Sequence, residues 1–353
     1  MPGGEFYWVY IILIVLLYVR HKQTGIYMGA FYFLYLGLAI TSLLTSTLYS
    51  EGILTITYTS FMIFLLAMYS KTNISQSVRF MSLAFSLVSF IFSVLFFLFA
   101  DKYAIAYNQD FDRSGWCDPN YFGMIIGMGI VSSFIEIFNG IKDRSSKIFH
   151  YLNIPLSFIV VVVLASRGAV LSTIAAIGVM VTIADIKPRY KFLFLFLAGL
   201  FLLFLYSENY MDFLLFRIRE DDGTGSGRTI IWANKINAFF SGNFLEQLFG
   251  YGRAGGLKLG SHEPTGFHND YVAMLCEYGY VGFVAFIFTL LYPIIKSLRK
   301  YKNNAAVIST SVFMITCCYT LEPITAGNIT FFFFMFYILM LYRNQNYVKA
   351  SIR

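Results

Sequence analysis

Charge is what this chain has least of. Only 13% of its 353 residues are Asp, Glu, Lys or Arg, against roughly 25% in a soluble globular protein. With 58% hydrophobic residues beside that shortage, an ordinary water-solvated domain is excluded and an apolar solvent is required. Cysteine is nearly as scarce. Cys117, Cys276, Cys317 and Cys318 have neither metal-ligand nor redox spacing, so buried free thiols are expected and no disulfide framework is implied. A His-Glu-x-x-His run, a paired-carboxylate motif and a Gly-x-Ser-x-Gly elbow are all missing, so no metal and no cofactor are expected. The sequence also has no internal repeat, low-complexity tract or domain linker, and it reads as a single membrane domain over 1–353. The apolar stretch 6–19 has no small-residue cleavage site after it, so it reads as a span rather than a cleaved leader.

What is present is a recurring apolar run long enough to cross a bilayer core. The sequence predicts about eleven spans, at 6–19, 26–44, 52–69, 80–100, 120–138, 148–165, 169–186, 192–206, 271–294, 305–321 and 327–342. The expected fold is therefore an all-α polytopic membrane protein with one long external loop, 207–270. Every second connection is basic: Arg20/Lys22, Lys71/Arg79, Lys142/Arg144/Lys147, Lys187/Arg189/Lys191, Lys296/Arg299/Lys300/Lys302 and the tail Arg343/Lys348/Arg353. This alternation places the N-terminus outside, the C-terminus in the cytoplasm and 207–270 outside. The net charge of +7 is thus a topology signal, and nucleic acid is not an expected partner.

Polar chemistry collects at a few places on the external side. Asp118-Pro119-Asn120 opens a span. Asp118 can cap and proline suits the first turn; the rival reading is that Arg113, Asp118 and Asn120 line a polar substrate site. Arg167 sits in a Ser-Arg-Gly turn between two spans, where an arginine snorkels, pairs or binds an anion. In the long loop, Arg217 and Arg219 end an amphipathic stretch, and a glycine-rich acidic turn follows over 220–227. Residues 228–240 then read as an interfacial helix. Trp232, Ile236, Phe239 and Phe240 share its apolar face, with Asn234, Lys235 and Asn237 elsewhere. Arg228 would occupy its first turn, a location anions favour.

Phe249-Gly250-Tyr251-Gly252-Arg253 superficially suggests a phosphate loop, but no Gly-Lys-Ser/Thr follows, so a nucleotide site is excluded. A backbone turn that brings Arg253 or main-chain amides to a ligand stays open. His268-Asn269-Asp270-Tyr271 starts the next span. On a helix beginning near Asn269, His268, Tyr271, Val272, Leu275 and Gly279 share a face, with Glu277 opposite. Glu322, at the end of a later span, can pair with an external arginine or face water.

Taken together, Arg167, Arg228, Arg253 or Arg217 and His268 suit a lipid diphosphate. Guanidinium binds phosphate oxygens bidentately and stays ionised, and an imidazole can take a proton from a sugar hydroxyl. The expected catalytic residues are His268, Arg228 and Arg167, with Arg253, Arg217, Asn269, Tyr271, Trp232, Asn120 and Asp118 as substrate contacts. The chemistry is glycosyl transfer without a metal, the arginines stabilising charge on the departing diphosphate.

The order Ser-Arg-Gly, Gly-Arg-x-x-x-Trp, Phe-Gly-x-Gly and His-Asn-x-Tyr-x-x-x-Leu-x-Glu-x-Gly-x-x-Gly, over about residues 150–295, resembles the O-antigen polymerase/ligase superfamily of Wzy-type polymerases and WaaL-type ligases. The resemblance implies a GT-C-like membrane fold, metal-independent transfer of glycan from undecaprenyl diphosphate, and a site facing the periplasm from the bacterial inner membrane. It makes Arg167 and Arg228 diphosphate contacts and His268 the histidine near the acceptor. A flippase and a chain-length regulator become expected partners. The family commonly shows about twelve spans with a cytoplasmic N-terminus, and this sequence departs from that. The segment Gly115-Trp116-Cys117-Asp118-Pro119-Asn120-Tyr121-Phe122 and the modest loop look more like polymerases of O-antigen or of capsular polysaccharide and exopolysaccharide. The alternatives are an O-antigen ligase acting on lipid A–core, a protein O-glycosylating transferase, and, from another class, a lipid-linked sugar transporter or flippase. A transporter predicts ionisable groups at mid-membrane and two similar halves.

The topology is directly testable. Alkaline phosphatase fused after Gly260 should be active in cells and the same enzyme fused after Ser146 inactive; the opposite pattern overturns the orientation.

Overall fold

The computed structural model describes residues 75–98, 119–138, 143–221, 223, 225, 227–261, 266–300 and 305–323. The expected spans 6–19, 26–44, 52–69 and 327–342, both termini, Cys117 and Asp118 lie outside the described residues. Among the described residues the structure is all helical: α1 Ser75–Leu98, α2 Pro119–Phe138, α3 Arg144–Val163, α4 Arg167–Ile183, α5 Pro188–Ser207, α6 Asp212–Arg219, α7 Arg228–Phe240, α8 Phe244–Phe249, α9 Gly252–Lys258, α10 Asp270–Lys300 and α11 Ala305–Thr320. Each of the seven expected spans from 80–100 to 305–321, the long loop aside, is one of these helices. Pro119–Phe138, Arg144–Val163, Pro188–Ser207 and Asp270–Phe288 are long and apolar enough to cross a membrane. The described part is that of a polytopic helical membrane protein.

The chain forms two compact units. One, the bundle unit, comprises Ser75–Gly223, Tyr292–Leu321 and Leu339–Arg353; the other, the loop unit, comprises Met1–Ile74, Thr224–Leu291 and Glu322–Ile338.

In the bundle unit α2 is the central helix, with α1, α3 and α4 packed on it and α11 packed on α4. A helix apolar around its whole circumference is stable only when surrounded, and Met124, Ile126, Met128, Ile130, Val131 and Ile135 of α2 are all fully buried. Close approach is possible because α2 presents glycines at its contacts. A Cβ at Gly129 would lie 2.1 Å from the Ser89 Cβ and 2.7 Å from the Phe85 carbonyl oxygen of α1, and one at Gly127 2.6 Å from Oγ1 of Thr173 on α4. Small residues at helix contacts are the usual route to tight packing in lipid.

Polar side chains then join α1, α2 and α3 inside this apolar bundle. Ser93 donates to Ser157 at 3.0 Å, Ser157 to Asn153 at 2.8 Å, and Asn153 to Ser133 at 2.9 Å. Ser133 also meets the His150 Nδ1 at 3.0 Å. The sequence reading gave His150 and Glu136 no role, and both are buried inside these spans. A helix α5 with one buried residue, Leu205, exposes Phe192, Leu195 and Phe196. So much uncovered apolar surface is what a lipid-facing span requires.

At the cytoplasmic end of α3 expected from the charge pattern, Asp143 accepts from the Ser146 amide at 2.7 Å and the Ser145 hydroxyl at 2.6 Å. The Ser145 hydroxyl bond, followed by those from Ser146, holds its carboxyl at about 2, so this cap stays ionised down to strongly acid pH.

The loop unit has a core of Phe239, Phe267, Val272, Ala273 and Cys276, with Trp232, Ile236, Tyr251, Leu257, Leu259 and Leu275 against it. Two expectations need correcting. Trp232, Ile236 and Phe239 of the apolar face of α7 pack into this core while Phe240 stays exposed, and Lys235, set apart from that face in the sequence reading, is only 1% exposed. Lys235 lies three residues after Trp232, so the 3.6-residue period puts it inside the same stripe.

The second correction concerns α10, which is not one straight span. Gly279 interrupts it with φ 67° and ψ −165°. Residues fifteen apart on a straight helix are separated by roughly 22 Å, but the rings of Tyr271 and Phe286 are 5.3 Å apart. The chain therefore bends sharply at Gly279, and that residue does not continue the helical face of His268.

Substituting Gly129→Ala forces a methyl into the α1–α2 contact. Overpacking of this kind costs about 1–3 kcal/mol, so the variant should unfold at a lower temperature in detergent than wild type. An unchanged midpoint would show that the two helices are not in this contact.

Candidate functional site

The residues picked out by the sequence fall in two polar clusters, one in each unit. In the bundle unit, the turn between α3 and α4 has Ala165 at φ 47°, and Ser166 caps α4. The Ser166 hydroxyl donates to Oδ1 of Asn120 at 3.0 Å, tying the start of α2 to this turn. Arg167 begins α4, and its guanidinium is ion-paired with the Asp221 carboxylate. Arg217 of α6 donates to the Ala165 carbonyl at 2.8 Å, and Arg167 reaches back to the Arg217 carbonyl at 3.5 Å. The two arginines thus lace α6 onto the α3–α4 turn. An anion arriving at Arg167 meets a guanidinium already paired with Asp221.

In the loop unit, Gly227, at φ 80°, leads into α7, and Arg228 is its first, half-buried residue. One turn on, the indole Nε1 of Trp232 donates to the Phe267 carbonyl at 2.6 Å. This hydrogen bond ties the Gly-Arg-x-x-x-Trp helix to the residue immediately before His268. His268 itself is exposed and left-handed, at φ 51°, between a buried Phe267 and a buried Asn269. The alternation explains the strained backbone: Phe267 must enter the core and Asn269 must cap α10, so the residue between them turns outward. The side-chain oxygen of Asn269 accepts from the Tyr271 amide at 2.8 Å and the Val272 amide at 3.2 Å.

Two further charged groups serve this cluster, and the sequence reading gave neither a role here. The Glu322 carboxylate is buried and accepts from the Phe267 amide at 2.6 Å, so it is not a rim group in water. Lys235 places its ammonium 4.5 Å from the centre of the Phe267 ring and donates to the carbonyls of Gly256, Leu257 and Leu259 at 3.1, 2.9 and 3.3 Å. Burial pulls its pKa below the ordinary lysine value, against the opposing fields of Cys276, Glu322 and Glu277.

The Phe-Gly-x-Gly run is a packing joint. Gly250 (φ 83°) and Gly279 (φ 67°) face each other backbone to backbone. A Cβ at Gly250 would sit 2.4 Å from the Glu277 carbonyl, and one at Gly279 2.5 Å from the Gly250 nitrogen and the Leu248 carbonyl. The amides here are also spent internally: Gly250 donates to Glu246 at 2.7 Å and Tyr251 to Cys276 at 2.9 Å. Arg253 lies on α9, and its side chain is outside what is described, as is Asp118.

Residues 152–287 match the family model described as O-antigen ligase. The match includes Arg167, Arg217, Arg228, Trp232, Arg253 and His268, and it supports the O-antigen ligase and polymerase resemblance for this stretch. No curated protein matches the chain.

Replacing Gly279→Ala sets a side chain against the 248–250 backbone at a φ that L residues avoid. The variant should lose thermal stability by more than Gly199→Ala, where a Cβ meets nothing within 4 Å. Equal effects of the two substitutions would remove the joint from the account.

Proposed function

We propose that this chain is a membrane glycosyltransferase that joins undecaprenyl-diphosphate-linked oligosaccharide repeat units into O-antigen or a related polysaccharide, at the outer face of the bacterial inner membrane. The observation that carries the reading is the Trp232–Phe267 hydrogen bond. Four residues separate Arg228 from Trp232, about 6 Å along a helix, so an arginine at a helix start and an exposed imidazole belong to one cluster. A matched family described as O-antigen ligase covers both.

In this reading the neutral His268 imidazole accepts the proton of an acceptor sugar hydroxyl. The hydroxyl oxygen bonds to the anomeric carbon of the donor, the carbon–oxygen bond to diphosphate breaks, and the diphosphate leaves with the electron pair. Arg228, in the first turn of α7 at the positive end of the helix dipole, stabilises that leaving charge. His268 then releases its proton to water. Arg167 is assigned to phosphate on its Ser-Arg-Gly turn, with Asp221 as the carboxylate the phosphate would replace. Fixed donors aimed at a developing charge are commonly worth a factor of about 10²–10³ in rate each. A flippase supplying donor units and a chain-length regulator are the partners this activity calls for.

The second reading is transfer of finished glycan to lipid A–core, favoured by the description of the matched family. Gel analysis of glycan from a deletion strain separates the two. Single capped units on an intact acceptor mean polymerase; a bare acceptor means ligase.

In the same strain, His268→Ala should fail to restore long polysaccharide while lipid-linked single units still reach the outer face. Units trapped inside the cell would overturn the enzyme in favour of a transporter. Membranes carrying the wild-type chain should keep their activity in EDTA, and loss on chelation would overturn a metal-free mechanism.

A further inference from the structure

Phe267 is gripped at three points by three separate parts of the loop unit. Its amide donates to Glu322, its carbonyl accepts from the Trp232 indole, and its ring lies under the Lys235 ammonium. Both backbone bonds are 2.6 Å long, and the residue is 1% exposed. Nothing in the side chain of Phe267 is chemically reactive, so this much attention to one phenylalanine asks for a reason. The next residue supplies it. His268 holds a left-handed backbone, which a non-glycine residue adopts only where its surroundings over-determine it. The two flanking peptide groups fix that backbone: Phe267 on one side through Glu322 and Trp232, and Asn269 on the other through its cap of α10.

Glu322 reaches the histidine by a second path. A Cβ at Gly266 would lie 3.4 Å from Oε2 of Glu322 and 3.7 Å from Nε2 of His268. One carboxylate oxygen therefore holds the Phe267 amide while the other faces the side of Gly266 where the imidazole lies. The bare Gly266 leaves that space open.

We propose that Glu322 and Trp232 are positioning residues, which hold the Phe267 backbone and through it set the direction of the His268 imidazole. The inference rests on the reading of His268 as the proton acceptor and adds a geometric requirement to it. Glu322 acts as a hydrogen-bond acceptor for the Phe267 amide, and Trp232 as a donor to the Phe267 carbonyl. Lys235 backs the ring, and it also holds three carbonyls together, so its removal would disturb the whole unit and does not isolate the effect.

The test uses the full chain in proteoliposomes, with undecaprenyl-diphosphate-linked repeat units extracted from cells that lack this chain as the probe. Misplacing a reacting group by about 1 Å can cost on the order of 10²-fold in rate. Glu322→Ala should lower kcat by about 10–100-fold with KM within about twofold of wild type. Glu322→Gln keeps an oxygen acceptor and should retain at least about a third of kcat, and Trp232→Phe, which keeps a ring without the donor, should lower kcat by about tenfold at unchanged KM. An unchanged kcat in Glu322→Ala, a loss confined to KM, or a glutamine variant as poor as the alanine one would overturn the proposal. Should Glu322→Ala fail to accumulate, Trp232→Phe decides alone, and a wild-type kcat there overturns it. His268→Ala measured alongside keeps the two levels apart. Wild-type activity in that variant sinks the reading of His268 itself, whereas an inactive His268→Ala beside normal Glu322→Ala and Trp232→Phe sinks only the positioning role.

Discussion

The loop unit depends on one buried ammonium. Lys235 has three N–H donors and meets three carbonyls, at the C-terminal end of α9 and just beyond it. A lysine in an apolar core is unfavourable by several kcal/mol unless its charge is paired and its protons are bonded. Here every proton has an acceptor, the helix end supplies partial negative charge, and an aromatic face covers one side. The segments that carry the sequence motifs meet at this ion: α7 bears it, α9 caps it and Phe267 covers it. The short helices α7, α8 and α9, with their many glycines, have little apolar surface for cohesion, and the ammonium supplies a directional substitute.

Much of the architecture was legible because lipid imposes simple rules. Apolar length predicted the seven long helices from Ser75–Leu98 to Ala305–Thr320, with their ends moved and one of them, Asp270–Lys300, broken at Gly279. The loop was harder. Its helix over 228–240 was readable from the spacing of Trp232, Ile236 and Phe239, but the burial of Lys235 was not, because a charged residue within an apolar stripe looks like solvent-facing noise until its carbonyl partners are seen. Those partners are backbone groups, and backbone carbonyls have no sequence signature. The break at Gly279 was hidden for a related reason. The apolar run continues through it, and the need for a glycine arises from the approach of Gly250, twenty-nine positions earlier.

The site residues divide in the same way. His268, Arg228 and Arg167 could be named because histidine and arginine are rare in so apolar a chain. Asp221 and Glu322 could not be assigned roles, since one sits in an acidic turn and the other at a helix end, and their importance comes from contacts at long sequence separation. The buried chain Ser93–Ser157–Asn153–Ser133–His150 was overlooked for the opposite reason. Serine is ordinary in membrane helices, and only the packing of α1, α2 and α3 shows that these hydroxyls bond to one another instead of to their own backbones.

The bend at Gly279 has a mechanical consequence. From Tyr280 to Ile294, ahead of the basic run Lys296, Arg299 and Lys300, the helix runs roughly 22 Å, most of the hydrocarbon thickness of a bilayer. The nine residues before the bend turn back along the rest of the helix, as the Tyr271–Phe286 contact shows. Thicker or thinner membranes are accommodated by tilting a span. His268 lies before the bend, beside the core of Phe267, Val272 and Cys276, and so off the axis of that span.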